Sequence, residues 1–457
     1  MKPGELKQIV KTCVKNLSLL FTESGLYPPH HPNVIAQLKQ TYAALETVTQ
    51  QIDPFSLDIL EGSFVFEGIP LYELKHVSEK TVQLLESKSI GRIAFQGFGD
   101  PEELNAFVQF IVTKTPGDSS PDLQAALKAK GVARIRVEQT DLWATEQERQ
   151  KLLQPKKIYA GCIEANKLIY NSVRAEQKIP MDIVAKIAKH LISIVKSDFF
   201  SCVALTGLRN YDEYKFTHPA NVAILSIALA VNVLDNDSLL ERFAQAALLH
   251  DIGLALIPNT VLNKQGKLTD EEWQMIKQHP LLGVELLERQ ERVDLLAVVI
   301  AAEHQMKHDL SGYPKIGGII QLHPLSEIVN IASAYDAITS AHAYKQPLLA
   351  DKALGLMLQM VGCDFDPQYF KIFVQMMGIY PPGGFVRLNT GEIALTKRVY
   401  PNALLQPEIK ILLDAAGRAI DEPRFANLYE QQGDASPLVI QEMVDPTSLG
   451  IDPLEFI

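Results

Sequence analysis

The chain has no run of about 18 uninterrupted apolar residues, so nothing in it reads as a membrane-spanning helix. Its opening stretch, MKPGELKQIVKTCVKNL, is charged and helix-like and lacks the apolar core of a secretion signal, so a cytoplasmic protein with no membrane insertion is expected. Cysteine is scarce. Cys13, Cys162, Cys202 and Cys363 lie far apart and form no CxxC pair, which argues against a disulfide framework and a thiolate zinc site and leaves reduced, structural thiols. Positive charge is also short. With 43 Lys and Arg against 54 Asp and Glu the net charge is -11, a poor surface for a nucleic-acid polymer, whose binding needs clustered cations to displace counterions. A small anionic ligand would need a local positive centre, which a bound metal supplies. No internal repeat stands out.

What is present suits a packed globular protein of roughly two or three domains: 457 residues, 47% hydrophobic and 21% charged. From about Asp53 to Glu138 strand and helix patterns mix. FSLDILEGSFVFEG alternates around a glycine as a hairpin does, and GRIAFQG and VARIRVE read as further short strands. Between them a helix starts with Asp100 as N-cap, Pro101 in its first position and Glu103 able to fold back onto the cap. This small α/β domain carries no nucleophile, metal cluster or glycine-rich phosphate loop, so sensing, docking or dimerisation suit it better than chemistry. His30 and His31, flanked by prolines, read as loop packing. From about Ile158 to Met377 apolar positions recur at helical spacing, which predicts an all-α domain. Short strands broken by Gly and Pro follow as a β appendage, and the acidic tail beyond Glu422 is expected to lie over the surface. The expected division is 1–145 as a sensing or docking domain, 146–210 as a helical linker, 211–377 as the helical domain and 378–457 as the appendage and tail.

The helical domain concentrates metal-type side chains: His218 in FTHPANVA, His250 and Asp251 in LLHDIG, His279 in IKQHPLLG and His304 in AAEHQM. A polar ring in a core costs roughly 1–3 kcal/mol unless it is bonded, so four isolated accidents are a worse account than one shared partner. A divalent cation is that partner. Imidazole nitrogen with carboxylate oxygen suits Fe, Mn, Zn or Ni, and Asp251, with two oxygens, can bridge two ions. Paired ions neutralise charge on a phosphorus centre, as phosphodiester hydrolysis requires.

His, then His-Asp, then His, then His followed by DLSGYP, in that order, resembles the HD-GYP family of HD-domain metal-dependent phosphohydrolases. The similarity runs from about Tyr211 to Met377. It implies a helical fold, hydrolysis of cyclic di-GMP, metal ligation by His218, His250, Asp251, His279 and His304, with Asp251 bridging, and substrate seating by Gly312, Tyr313 and Lys345. Beside the resemblance stand departures. Leu254 occupies the place of a lysine near the substrate phosphate, and His304, Gln305 and Met306 stand where two histidines and a glutamate are usual. Ser333 replaces a metal aspartate, and His342 replaces an arginine that forks onto phosphate. By the family scheme each of two metal positions loses one ligand, so one weakly held ion or none is expected, with the count of one or two left open. His308 reads as a solvent-facing residue or a substitute ligand. Glu303 reads as an acceptor for the His304 ring or an exposed acid, Asp336 and Asp366 as helix-end residues, and Trp273 as packing. The favoured role is a regulatory or scaffold protein of bacterial signalling, with protein partners through the GYP loop. The alternative is an active phosphodiesterase acting on cyclic di-GMP. Hydrolysis of a simpler phosphate ester ranks last, and oligomeric state is left open.

Overall fold

The computed structural model describes residues 3–453 apart from 61, 68, 89, 98–99, 114–122, 140–154, 209–213, 265, 341–346, 432–436 and 452. The chain divides into two compact units, Met1–Glu164 and Ala165–Ile457.

The first unit opens with α1 (Pro3–Leu26) and α2 (Pro32–Thr49), which pack on each other across a loop. His31 caps α2, its Nδ1 accepting from the Asn33 amide, and its ring stacks on Tyr27, so His31 does serve the loop, while His30 is exposed. The strands are β1 (Phe55–Leu60), β2 (Ser63–Phe66), β3 (Ile69–Pro70), β4 (Ile90–Phe95) and β5 (Ile135–Gln139), in the antiparallel order β3-β2-β1-β4-β5. The hairpin expected in FSLDILEGSFVFEG is β1–β2, with Leu60 opposite Ser63. Along β1 Phe55, Leu57 and Ile59 are buried and Ser56 and Asp58 are not, the period-2 alternation of a sheet with one covered face. Helices α3 (Lys75–Glu86), α4 (Pro101–Thr113) and α5 (Leu123–Ala129) complete the unit, and Phe55, Phe64, Phe95 and Phe107 fill its core with Leu17 and Leu20 of α1. Asp100 caps α4 as expected. Glu103 does not fold back onto that cap. Its carboxylate accepts the amides of Ala133 and Arg134, because two unpaired backbone donors at the entry to β5 outbid the cap.

Beyond α6 (Pro155–Arg174) the second unit is helical through α7 (Met181–Ser197), α8 (Phe199–Thr206), α9 (Tyr214–Ala230), α10 (Asp237–Leu249), α11 (Asn259–Leu262), α12 (Asp270–Ile276), α13 (His279–Glu288), α14 (Leu295–Glu303), α15 (Pro324–Thr339), α16 (Ala350–Leu358) and α17 (Pro367–Met377). From Ala220 to Ala230 α9 is buried on every side. It is the central helix, flanked by α7, α10 and α15, as expected of a helix apolar all round. Asp366 caps α17.

The chain then forms a second five-stranded antiparallel sheet from β6 (Phe385–Leu388), β7 (Ile393–Arg398), β8 (Glu408–Leu413), β9 (Ala419–Asn427) and β10 (Ile440–Val444), in the order β10-β6-β7-β8-β9. Here the expectation for the tail fails. Residues beyond Glu422 finish β9 and supply β10, which pairs with β6, and Ile440, Met443 and Val444 are buried. The acidic composition masked three apolar residues placed to close a sheet edge. The fold is thus an N-terminal α/β region, an all-α centre and a β-rich C-terminal region. Among the described residues no helix is long and apolar enough to cross a membrane.

Candidate metal centre

The five residues singled out in the helical domain come from four separate places and meet. His218 sits in the second turn of α9, His250 caps the end of α10, His279 opens α13 and His304 caps the end of α14. Asp251 follows His250 and precedes a 3-10 turn, Ile252–Leu256. Helix ends suit this task because the last turn leaves carbonyls without an amide partner. The Nδ1–H of His250 donates to Ala247 O (2.8 Å), that of His279 to Ile276 O (2.7 Å) and that of His304 to Ala301 O (2.9 Å), in each case a carbonyl three residues back. A carbonyl can only accept, so these bonds fix the proton on Nδ1 and turn the Nε2 lone pairs inward.

Those Nε2 atoms surround one carboxylate. Asp251 Oδ1 lies 3.1 Å from His279 Nε2 and 3.0 Å from His304 Nε2, and Oδ2 lies 3.4 Å from His218 Nε2 and 3.6 Å from His250 Nε2. The atoms form two possible ligand groups, His218–His250–Asp251 and Asp251–His279–His304, which share the aspartate. His250 Nε2 is buried with no hydrogen-bond partner, and His279 Nε2 and His304 Nε2 face each other at 3.0 Å, with both Nδ1 protons already committed elsewhere. Lone pair opposed to lone pair is unfavourable unless a positive charge lies between, so the donor set fits a divalent cation.

The electrostatics agree. Burial would lower the His218 imidazolium, but the carboxylates of Asp251 and Asp336 on its two sides overcome this and push its pKa up to about 9. A positive charge is favoured there, and a metal ion would displace the proton. Burial pushes His250 down to about 3 and lowers His304, keeping both rings neutral as ligands must be. Although burial alone would raise it, the surrounding imidazoles hold the Asp251 carboxyl well below the usual carboxylate range.

Two glycines set the spacing. A methyl group on Gly253 would stand 2.0 Å from His279 O and 2.6 Å from the Gly283 amide nitrogen, so only glycine lets the turn after Asp251 touch the start of α13. A methyl on Gly312 would meet Gln305 O at 2.3 Å, and this close packing folds the SGYP loop back on the segment that follows His304. The Tyr313 ring then lies edge-on to His279, centroids 6.2 Å apart. Lys345 and His342 fall outside the described residues. Ser333 is buried on α15, one turn before Asp336, and Leu254 lies on the 3-10 turn beside the cluster.

Several neighbours depart from expectation. Asp336, in the last turn of α15, does more than hold a helix end: it is buried, Oδ2 is 2.6 Å from His218 Nδ1, and Oδ1 accepts from Asn221 Nδ2 at 2.7 Å as well as from the Ser340 hydroxyl. The sequence held a signal for this, since the three-residue spacing puts Ser333 and Asp336 on one face of α15. Glu303 neither touches the His304 ring nor faces solvent. It is buried and accepts the His323 amide. His308 is partly buried against Glu327, its Nδ1 2.8 Å from the carboxylate. Trp273 is 44% exposed with its edge against Tyr313, and Thr269 and Glu272 form the expected capping box in front of it.

Four buried histidines around one shared aspartate, three of them at helix ends, form a donor set that could hold a divalent cation. The HD-domain family pattern matches residues 186–369, and that of a KOW domain associated with HD domains matches residues 385–450, the second sheet. A cyclic di-GMP phosphodiesterase of Pseudomonas aeruginosa is 36% identical over 216 residues, 47% of this chain and 52% of that protein. The cyclic di-GMP phosphodiesterase response regulator RpfG of Xanthomonas campestris is 41% identical over 126 residues, 27% of this chain and 33% of that protein. The chain thus spans a third to a half of the length of these relatives. A solved HDGYP protein from Bdellovibrio bacteriovorus is 18% identical, with a TM-score of 0.40 over 57% of this chain and 88% of that one. Residues 186–369 of the helical region thus match an HD domain, and the relatives similar to it are named cyclic di-GMP phosphodiesterases.

Proposed function

We propose that the HD domain binds a divalent transition metal at the Asp251 cluster and takes a cyclic dinucleotide of the cyclic di-GMP type there, acting in signalling chiefly by binding, with turnover slow or absent. The observation that carries this reading is the inward set of Nε2 lone pairs around one carboxylate, with His279 and His304 opposed at 3.0 Å. His218, His250, Asp251, His279 and His304 would hold the ion or ions, with Asp251 shared. A bound ion supplies Lewis-acid neutralisation of charge on a phosphodiester.

The chain's own groups do the rest. Asp336 orients His218, three helix-end carbonyls orient the other rings, and the Gly312–Tyr313 loop beside His279 offers a wall for the substrate. Three ligands per position would leave room for a phosphate oxygen but would hold an ion loosely, because Ser333 and Gln305 contribute no carboxylate or imidazole. Leu254 adds no cation beside the cluster, and one missing transition-state donor typically costs about 10²–10³ in rate.

Activity as a phosphodiesterase is the second reading, favoured by the names of the relatives and by Asp251 standing in both possible ligand groups. The experiment loads the protein with Mn²⁺ or Fe²⁺, measures metal content by elemental analysis and cyclic di-GMP binding by calorimetry, and follows linear products by chromatography. Metal and nucleotide binding with little product is expected, and Ser333→Asp with Gln305→His should raise metal content. Protein that retains neither metal nor nucleotide refutes the proposal, and rapid, complete hydrolysis replaces it with the second reading.

A further inference from the structure

A row of three aromatic rings runs from solvent into the metal centre. His279 carries a ligand nitrogen at its inner end, Tyr313 stands edge-on to it with centroids at 6.2 Å and 85° between planes, and Trp273 stands edge-on to Tyr313 at 6.2 Å and 78°. The outer ring is the unusual one. Helix α12 buries none of its residues, and Trp273 on it is 44% exposed, so the indole is not a core anchor. It is nevertheless held. The capping box of Thr269 and Glu272 fixes the first turn, and Lys264 Nζ bonds both Glu272 oxygens at 2.8 and 2.6 Å. Two more large apolar side chains near the ligands in sequence, Leu256 and Leu281, are also exposed. A half-exposed indole on a helix turn fixed in this way, with Tyr313 beside it, is costly to leave in water and suited to receive a flat apolar partner.

We propose that Trp273, backed by Tyr313, is a stacking platform for a nucleobase whose phosphodiester lies at the Asp251 cluster, and that it selects nucleotide diesters over base-free ones. This rests on the nucleotide reading above and assigns the residue that recognises the base. Stacking suits a base of either type, because every base presents a π face, and its loss by alanine substitution typically weakens binding about ten-fold.

The test needs no turnover. Trp143, the only other tryptophan, is replaced by Phe so that emission reports Trp273, and metal-loaded protein is titrated with cyclic di-GMP, 5′-GMP and dimethyl phosphate. Quenching by both nucleotides and none by dimethyl phosphate is expected. Calorimetry should show Trp273→Ala weakening cyclic di-GMP about ten-fold at unchanged metal content, with Trp273→Phe recovering most of the loss. If cyclic di-GMP binds the alanine variant as tightly as the parent and leaves emission unmoved, the platform is overturned while the nucleotide reading stands. If metal is retained and no nucleotide binds either protein, the nucleotide reading falls and the platform with it.

Discussion

Asp336→Asn isolates a residue of the candidate metal centre that stands behind a proposed ligand, His218. In the native site Asp336 Oδ2 accepts the His218 Nδ1 proton at 2.6 Å, while Oδ1 takes the Asn221 amide at 2.7 Å and the Ser340 hydroxyl at 3.2 Å. The asparagine is nearly isosteric, and its oxygen stays where two donors already point, so its NH₂ turns toward His218 Nδ1. Donor then faces donor. His218 escapes by carrying its proton on Nε2, where it points at the ligand position, or by leaning on the Tyr214 hydroxyl, 3.1 Å from Nδ1. Outer partners of ligating histidines typically change metal affinity 10–100-fold, and the remaining Tyr214 contact sets the expected loss near the low end, about ten-fold or ~1.4 kcal/mol. Competition with a chromophoric chelator under Mn²⁺ or Zn²⁺ measures it, and Asn221→Ala serves as a milder companion because it keeps the carboxylate. Undiminished affinity in Asp336→Asn would refute the claim that this aspartate fixes the His218 tautomer. An equal loss of metal from the His279–His304 side would show general unfolding instead.

Metal at 100 times its dissociation constant should stabilise the folded protein by about 2.7 kcal/mol, read as an upward shift in thermal unfolding that a chelator reverses and Asp251→Ala abolishes. Gly253→Ala forces apart two backbones in contact and should cost at least about 1–3 kcal/mol in urea unfolding while weakening metal binding, since His279 must move from Asp251. Burial pushes the thiols of Cys13, Cys162 and Cys202 up, whereas Cys363 is exposed. A disulfide reagent should therefore label about one thiol per native chain and four after unfolding; rapid labelling of two or more in the native state would contradict the packing.

The local elements were open to reading because they follow from short-range rules. Alternation around Gly62 specified the β1–β2 hairpin, apolar spacing specified α9 and α15, and Thr269 with Glu272 specified a capping box. Glu103 and Asp336 depart from their local reading for a common reason: each sits where a local cap is chemically available, and each also takes a partner 30 or more residues away. The closing strand β10 hid in an acidic tail because its pairing with β6 spans about fifty residues and shows no local pattern.

By itself the sequence determined which side chains could ligate a metal and that they belong to the helical domain, because periodicity and residue chemistry act within a turn or two of the backbone. Only the tertiary structure decided that His218, His250, His279 and His304 aim Nε2 at the same carboxylate. Helix-end carbonyls set three of the tautomers locally, but the fourth depends on Asp336 reaching His218 and the common focus on Gly253 letting two backbones touch, and neither condition exists until distant segments have packed.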